Sequence, residues 1–275
     1  MKQHELEVEQ GQRFQFGENW SFFLNVLNAE RINVAQQSLK DMLGVDDLIG
    51  KTFLDIGSGS GLFSLAARKL GATVHSFDYD PQSVACTAEL KQRYFNDDNQ
   101  WVVEEGSVLD KDYLAQLGKF DIVYSWGVLH HTGEMWQALE NVAPMVFDGG
   151  RLFIAIYNDE GVISSFWLKV KKIFNKSTIG QVSIKSIFYP YFMIRTVLVG
   201  LVKSRSPLAK FKDYKKERGM SITHDWDDWL GGYPFEVATP DELLTYYKEK
   251  GFELIRMKTT NRLGCNEMVF KKTKK

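Results

Sequence analysis

Between residues 52 and 157 the chain alternates short apolar strands with helical stretches, and few folds accept that order. The residue pattern predicts strands over 52–56, 73–77, 101–105, 120–125 and 151–157. Helices are predicted over 62–70, 81–95, 109–117 and 135–146. Links this short force right-handed crossovers, and so a parallel sheet covered by helices on both faces. A helix over 29–43 precedes the series, with Ile32, Val34, Ala35, Leu39 and Leu43 at helical spacing and Gly44 as its stop. A helix over 240–250 and strands over 252–257 and 267–271 close it. No helix separates those last two strands, so the final one is expected to run antiparallel. The expectation is a single α/β domain over 1–275, Rossmann-like and doubly wound. It carries an N-terminal helical segment over 1–48 and a helical insertion or lid over 158–236.

The first strand runs into Gly57-Ser58-Gly59-Ser60-Gly61, and a helix follows at once. Strand, glycine loop and helix make a nucleotide-type site, because glycine lets the backbone turn tightly and the helix start offers free N–H groups. The dinucleotide version needs its third glycine at position 62, which is Leu62 here. Asp55 stands two residues before the loop. A carboxylate there disfavours a pyrophosphate and favours an ammonium group. Asp78, 21 residues past Gly57, ends the second strand where ribose hydroxyls are held in sheets of this kind, with Asp80 as its rival. A nucleoside carrying a positive amine satisfies both acids, and S-adenosylmethionine is such a molecule. The bland alternative is a tight turn beside a surface acid.

With these residues in register, the chain resembles class I S-adenosylmethionine-dependent methyltransferases. The resemblance rests on Phe53 to Gly61, Phe77-Asp78-Tyr79-Asp80, Glu105 to Asp110, Phe120 to Ser125 and a Gly149-Gly150 turn before the fifth strand. It covers about residues 50–157 and 239–271. It implies a seven-stranded sheet of order 3-2-1-4-5-7-6, with the cofactor held by Asp55, Gly57, Ser58, Gly59, Asp78 and Tyr79. Ser107 and Val108 would sit at the adenine, and Ser125 and Trp126 on the sulfonium side. Within that family the chain is similar to the O-methyltransferases of ubiquinone synthesis, through Thr223-His224-Asp225-Trp226 before Pro240-Asp241-Glu242-Leu243. That group has a Glu-x-x-Glu-His stretch associated with magnesium. Here those positions are Gly127, His130 and His131, so no metal is expected.

Methyl transfer asks the protein to align the reactants and, for a hydroxyl acceptor, to remove a proton. His130 and His131 follow the fourth strand, at the edge where ligands bind such sheets, and are candidate bases. Their competing reading is structural. His224, in a run with Asp225, Asp227 and Asp228, is the third candidate, against a plain polar loop. In the N-terminal segment, Phe16 and Trp20 are placed to close over the cofactor and Arg13 to meet its carboxylate, unless the segment is a hydrophobic staple.

The net charge of −1 hides a split. Residues 162–220 hold 13 Lys or Arg against two acids, a net of +11, so the other 216 residues carry −12. Aromatic and aliphatic residues recur at helical spacing between those lysines. This composition suits a lid with peripheral membrane contact better than a nucleic-acid face. A spanning helix is disfavoured by Pro190 and Arg195. Two cysteines, Cys86 and Cys265, make no disulfide framework, and the polar, acidic residues 1–13 do not read as a secretory signal. A cytoplasmic enzyme, with peripheral membrane contact as an added reading, is the expectation, O-methylating a small or lipid-linked acceptor. Its rivals are an N- or sugar-O-methyltransferase and a non-catalytic cofactor-binding scaffold.

Overall fold

The computed structural model describes residues 3–204, 222–260 and 263–274. Residues 205–221, which hold many of the basic residues of the insertion, lie outside the described residues.

Three helices, α1 (Gln3–Glu9), α2 (Gly17–Leu24) and α3 (Ala29–Leu43), lead into the alternating core. That core runs β1 (Thr52–Ile56), α4 (Leu62–Lys69), β2 (Thr73–Asp78), α5 (Pro81–Tyr94), β3 (Trp101–Glu105), α6 (Lys111–Leu117), β4 (Phe120–Trp126), α7 (Met135–Val142) and β5 (Val146–Tyr157). Helices α8 (Val162–Lys176), α9 (Thr178–Ser204) and α10 (Ile222–Gly231) form the insertion. Helix α11 (Pro240–Glu249) and strands β6 (Phe252–Lys258) and β7 (Cys265–Lys272) complete the chain. The sheet order is β3-β2-β1-β4-β5-β7-β6, with β7 antiparallel to both neighbours. The expected order and the antiparallel last strand are thus borne out.

Local chemistry sets the helix ends. Asn28 caps α3 by accepting from the Arg31 N–H, and Gly44 ends it in the left-handed region. Asp80 caps α5 ahead of Pro81. Helix α6 starts at Lys111, two residues later than the pattern suggests, because the Asp110 side chain accepts from the Asp112 and Tyr113 N–H groups. Strand β5 starts at Val146, so Gly149 and Gly150 lie inside it and not in a turn before it.

Apolar clusters cover both sheet faces. Leu54, Ile56, Val123 and Leu152 join α7 and α11 on one, and Phe53, Val74, Tyr124 and Phe153 join α3 and α4 on the other. A third cluster, with Trp167, Val170, Phe174, Ile184, Leu230 and Phe235, belongs to the insertion and the segment after it.

Candidate active site

Strand β1 lies between β2 and β4, with Asp55 paired in register to Ser76 and Tyr124. Past Ile56 the chain turns back on itself. Gly57 and Ser58 both donate their N–H to the Phe77 carbonyl, at 2.9 and 3.1 Å, which holds the loop against the end of β2. Gly57 and Gly59 have φ of 75° and 54°, a region glycine enters without penalty. Space is the second constraint. A Cβ on Gly57 would lie 2.3 Å from the Val128 side chain, and one on Gly59 would press on the Trp20 indole at 3.1 Å. Val128 and Trp20 therefore flank the loop from different parts of the chain.

Asp55 is buried and accepts from the Ser64 hydroxyl of α4. Trp101 Nε1 donates to Ser76 at 2.9 Å, and Ser76 and Ser64 share a 2.7 Å hydrogen bond. Every donor in this buried chain can point toward Asp55. Asp78 accepts from the Gly59 and Asp80 N–H groups, both at 2.9 Å. Burial pushes Asp55 up to about 7, helped by the Asp78 charge and opposed by Ser64. Burial likewise pushes Asp78 up to about 6, opposed by the N–H groups it accepts. Among the described residues no cation forms an ion pair with either acid. A buried carboxylate, Asp55, and a half-buried one, Asp78, around a glycine turn fit a ligand bringing an ammonium and hydroxyl groups, and repel one bringing phosphates. Asp80, the rival of Asp78, is spent on capping α5 and on the Gly17 N–H.

The other expected cofactor residues divide. Trp20 lies over Gly59, and Phe16 packs on His131 at 4.9 Å between centroids. The Tyr79 hydroxyl donates to Glu7. Ser58 turns to Thr87 of α5, at 2.9 Å. Val108 is buried, and its carbonyl accepts from Asn141. The Ser107 hydroxyl accepts the Leu109 N–H at 3.2 Å. Ser125 is fully buried and donates to the Ile56 carbonyl at 3.0 Å, so its hydroxyl ties β4 to β1. Trp126 is exposed at the strand end. Arg13, expected at the cofactor carboxylate, instead pairs with Glu7 at 2.9 Å and donates to the His131 carbonyl at 2.8 Å. Its charge is spent on fastening the N-terminal segment.

The histidines depart from expectation through burial. His131 donates from Nδ1 to the Pro234 carbonyl at 2.6 Å, a tautomer assigned from that partner. His130 accepts the Tyr157 N–H at Nδ1, at 3.3 Å, which leaves Nε2 carrying a proton. Burial drives His131 down to about 3, with Lys171 and Arg13 pushing the same way. It drives His130 well below the usual imidazole value. Neither is a base poised at neutral pH. His224 lies in α10, but its side chain lies outside the described residues. Its neighbours Asp227 and Asp228 are engaged, Asp227 with Lys185 at 2.9 Å and Asp228 with Asn19.

The residue that the sequence pattern passed over is Lys171. It is fully buried in the third cluster, and burial pulls it down to about 7, opposed by Asp228. The signal was present, since Lys171 lies four residues after Trp167 and three before Phe174 on one helix face. A cavity of about 450 Å³ bounded by Leu114, Lys119, Asn141 and Met145 sits at the amino ends of β4 and β5, the edge opposite the glycine loop.

Residues 54–152 match the family model described as a methyltransferase domain. A ubiquinone biosynthesis O-methyltransferase from Coxiella burnetii is 30% identical over 138 residues, covering 49% of this chain and 53% of that protein. The chain thus spans about half the length of the curated relatives it matches. Among solved structures, an O-methyltransferase family protein from Burkholderia thailandensis superposes with a TM-score of 0.53 at 12% identity, over 88% of this chain and 57% of that one. The magnesium protoporphyrin IX methyltransferase of Synechocystis PCC 6803, solved with bound S-adenosylhomocysteine, superposes with a TM-score of 0.50 at 17% identity, over 90% and 89%. At those identities the likeness is one of fold.

Proposed function

We infer, for a chain whose residues 54–152 match a methyltransferase domain, that it uses S-adenosylmethionine to methylate an oxygen of a small or lipid-linked acceptor. The observation that carries this reading is the pair of carboxylates, buried Asp55 and half-buried Asp78, around the Gly57–Gly61 turn without an ion-paired cation among the described residues. When bound, the cofactor supplies a methyl carbon activated by a positive sulfur. Asp55 would face its amine, Asp78 its ribose, and Ser107 with Val108 its adenine. Trp20 and Phe16 would cover it from the N-terminal segment, which Gly17 fastens to Asp80 at 2.8 Å. The residues at the end of β4 would exclude water from the acceptor.

Oxygen as the accepting atom draws support from the relative named for ubiquinone biosynthesis O-methylation. It is tested by following S-adenosylhomocysteine release against aryl hydroxyls, carboxylic acids, sugars and amines. Turnover with amines alone would move the chain to the N-methyltransferases; cofactor binding without turnover on any acceptor would make it a scaffold.

The insertion is proposed as a lid that also touches anionic lipid. Ile163, Phe166, Ile179, Ile187 and Ile194 are all at least half exposed on α8 and α9. The stretch Thr178–Val199 of α9 is long and apolar enough to cross a membrane by length and composition, yet it holds Lys185, Pro190 and Arg195. Basic and apolar groups on one helix pair suit lying on a membrane surface better than crossing it. Work at the cytoplasmic side of a membrane is the setting proposed.

A further inference from the structure

Two nitrogen donors are buried together beside the methyl-transfer edge, and the fold gives them too few acceptors. Lys171 has no exposed surface. A protonated lysine carries three N–H groups, and the described partner is one carbonyl, that of Trp229. Around it lie two aromatic faces, with Nζ 4.8 Å from the Trp229 centroid and 5.0 Å from that of Phe235, and the Asp228 charge acts on it from α10. His130 is equally buried, and its Nε2 has no hydrogen-bond partner among the described residues. The same rings join the two residues. Tyr157 stacks on His130 at 4.0 Å and packs on Phe235 at 5.3 Å and Trp229 at 6.2 Å.

Orphaned buried donors cost stability, and structures rarely keep them without a use. Burying an ammonium in an aromatic cage costs more than burying a neutral donor, so Lys171 is the harder of the two to explain as packing. Position narrows the use. Val128 touches the Gly57 turn and His130 lines the cage, and two residues of chain span no more than about 7 Å. One short segment therefore borders both the glycine loop and the Lys171 cage. The charged and titratable groups that face the pair are Asp228 from α10, His131 from the segment of His130 and Tyr157 from β5, with Arg13 of the N-terminal segment acting on His131 behind them.

We propose that Lys171 and His130 form the seat for an anionic oxygen of the acceptor, with Lys171 Nζ and His130 Nε2 as its donors. The acceptor is then an acid with an apolar body, either an aryl hydroxyl or a carboxylic acid, and not an amine or a neutral sugar. For an aryl hydroxyl the proton passes from its oxygen to the unprotonated amine of Lys171. That leaves an oxyanion beside an ammonium, and no other reactant is consumed. A carboxylic acid arrives already ionised and uses the protonated lysine directly. This inference rests on the methyltransferase reading above.

The test uses 4-nitrophenol and benzoate as probes of the full chain. At a pH one unit below the solution pKa of 4-nitrophenol, the wild type should bind it as the yellow phenolate. Lys171→Met, which keeps the apolar stem, should lose binding of whichever probe is preferred by roughly tenfold or more, the value of a charged hydrogen bond. His130→Phe should lose less. Preference for 4-nitrophenol assigns the site to hydroxyls, and preference for benzoate to carboxylates. Bound 4-nitrophenol that stays colourless in the wild type while benzoate goes unbound overturns the proposal without any variant. So does uptake of neither probe, or equal affinity in wild type and Lys171→Met. Calorimetry with S-adenosylmethionine on the same samples separates the two failures. Lost cofactor binding strikes the methyltransferase reading, and lost probe binding with intact cofactor binding strikes this inference alone.

Discussion

The Asp78 carboxylate accepts the Gly59 N–H at 2.9 Å, so the last residue of β2 holds the middle of the loop that follows β1. One acid thus shapes the turn and lines the place where a nucleoside would lie. Asp78→Ala should cost both. Cofactor affinity is expected to fall by roughly tenfold to a hundredfold, the range for lost charged hydrogen bonds, when measured by calorimetry. The melting temperature should fall with it. Unchanged affinity would mean that Asp78 only braces the loop.

Cofactor binding should depend on pH with a defined sign. Asp55 sits at about 7 and Asp78 at about 6 in the folded chain, both above the usual carboxylate range. An incoming ammonium favours their ionised forms, so binding releases protons. Affinity should rise with pH through 6 to 7 and level off above it. The same shift means that the folded chain holds the Asp55 proton more tightly than the unfolded chain. This group's contribution to stability is therefore greatest below its unfolded pKa and is lost as pH rises through about 7. Asp55→Asn should remove the part of the rise near pH 7 and leave the part near pH 6 that belongs to Asp78. A profile that falls with pH in the wild type contradicts the assignment.

Gly57→Ala combines two penalties that a second substitution can separate. A φ of 75° costs a residue with a Cβ about 1–2 kcal/mol. The 2.3 Å approach to Val128 adds an overpacking cost of about 1–3 kcal/mol. Adding Val128→Ala should recover the second part and leave the first. Equal stability of the single and double variants by urea unfolding would show that Val128 does not crowd the loop.

The elements that positioned this site were legible because their signals are local. The Asn28-to-Gly44 helix, the glycine turn and the acids at the strand ends each lie within a few residues of the feature they control. What stayed hidden depends on contacts between distant parts of the chain. Arg13 reads as a free cation until the fold brings it to Glu7 and the His131 carbonyl. Ser125 reads as a ligand hydroxyl until β1 offers it the Ile56 carbonyl. The two histidines read as bases because burial, which sets their protonation, is a property of the packed insertion. Lys171 was masked by company, since Lys169 and Lys172 beside it are exposed and only its place on the Trp167–Phe174 face sets it apart.

The exposed apolar residues of α9 predict lipid binding that salt weakens. The chain should co-sediment with vesicles containing anionic lipid at low ionic strength and less at high ionic strength. Ile187→Glu with Ile194→Glu, both on exposed positions, should reduce sedimentation without changing cofactor affinity. No sedimentation with anionic vesicles in either buffer would remove the membrane from the account.

The most direct test is a calorimetric titration of the full chain with S-adenosylmethionine beside a nicotinamide dinucleotide. Asp55 and Asp78 predict saturable heat with the sulfonium nucleoside, sharply reduced in Asp55→Ala, and none with the dinucleotide. Heat with the dinucleotide and none with S-adenosylmethionine would contradict the account.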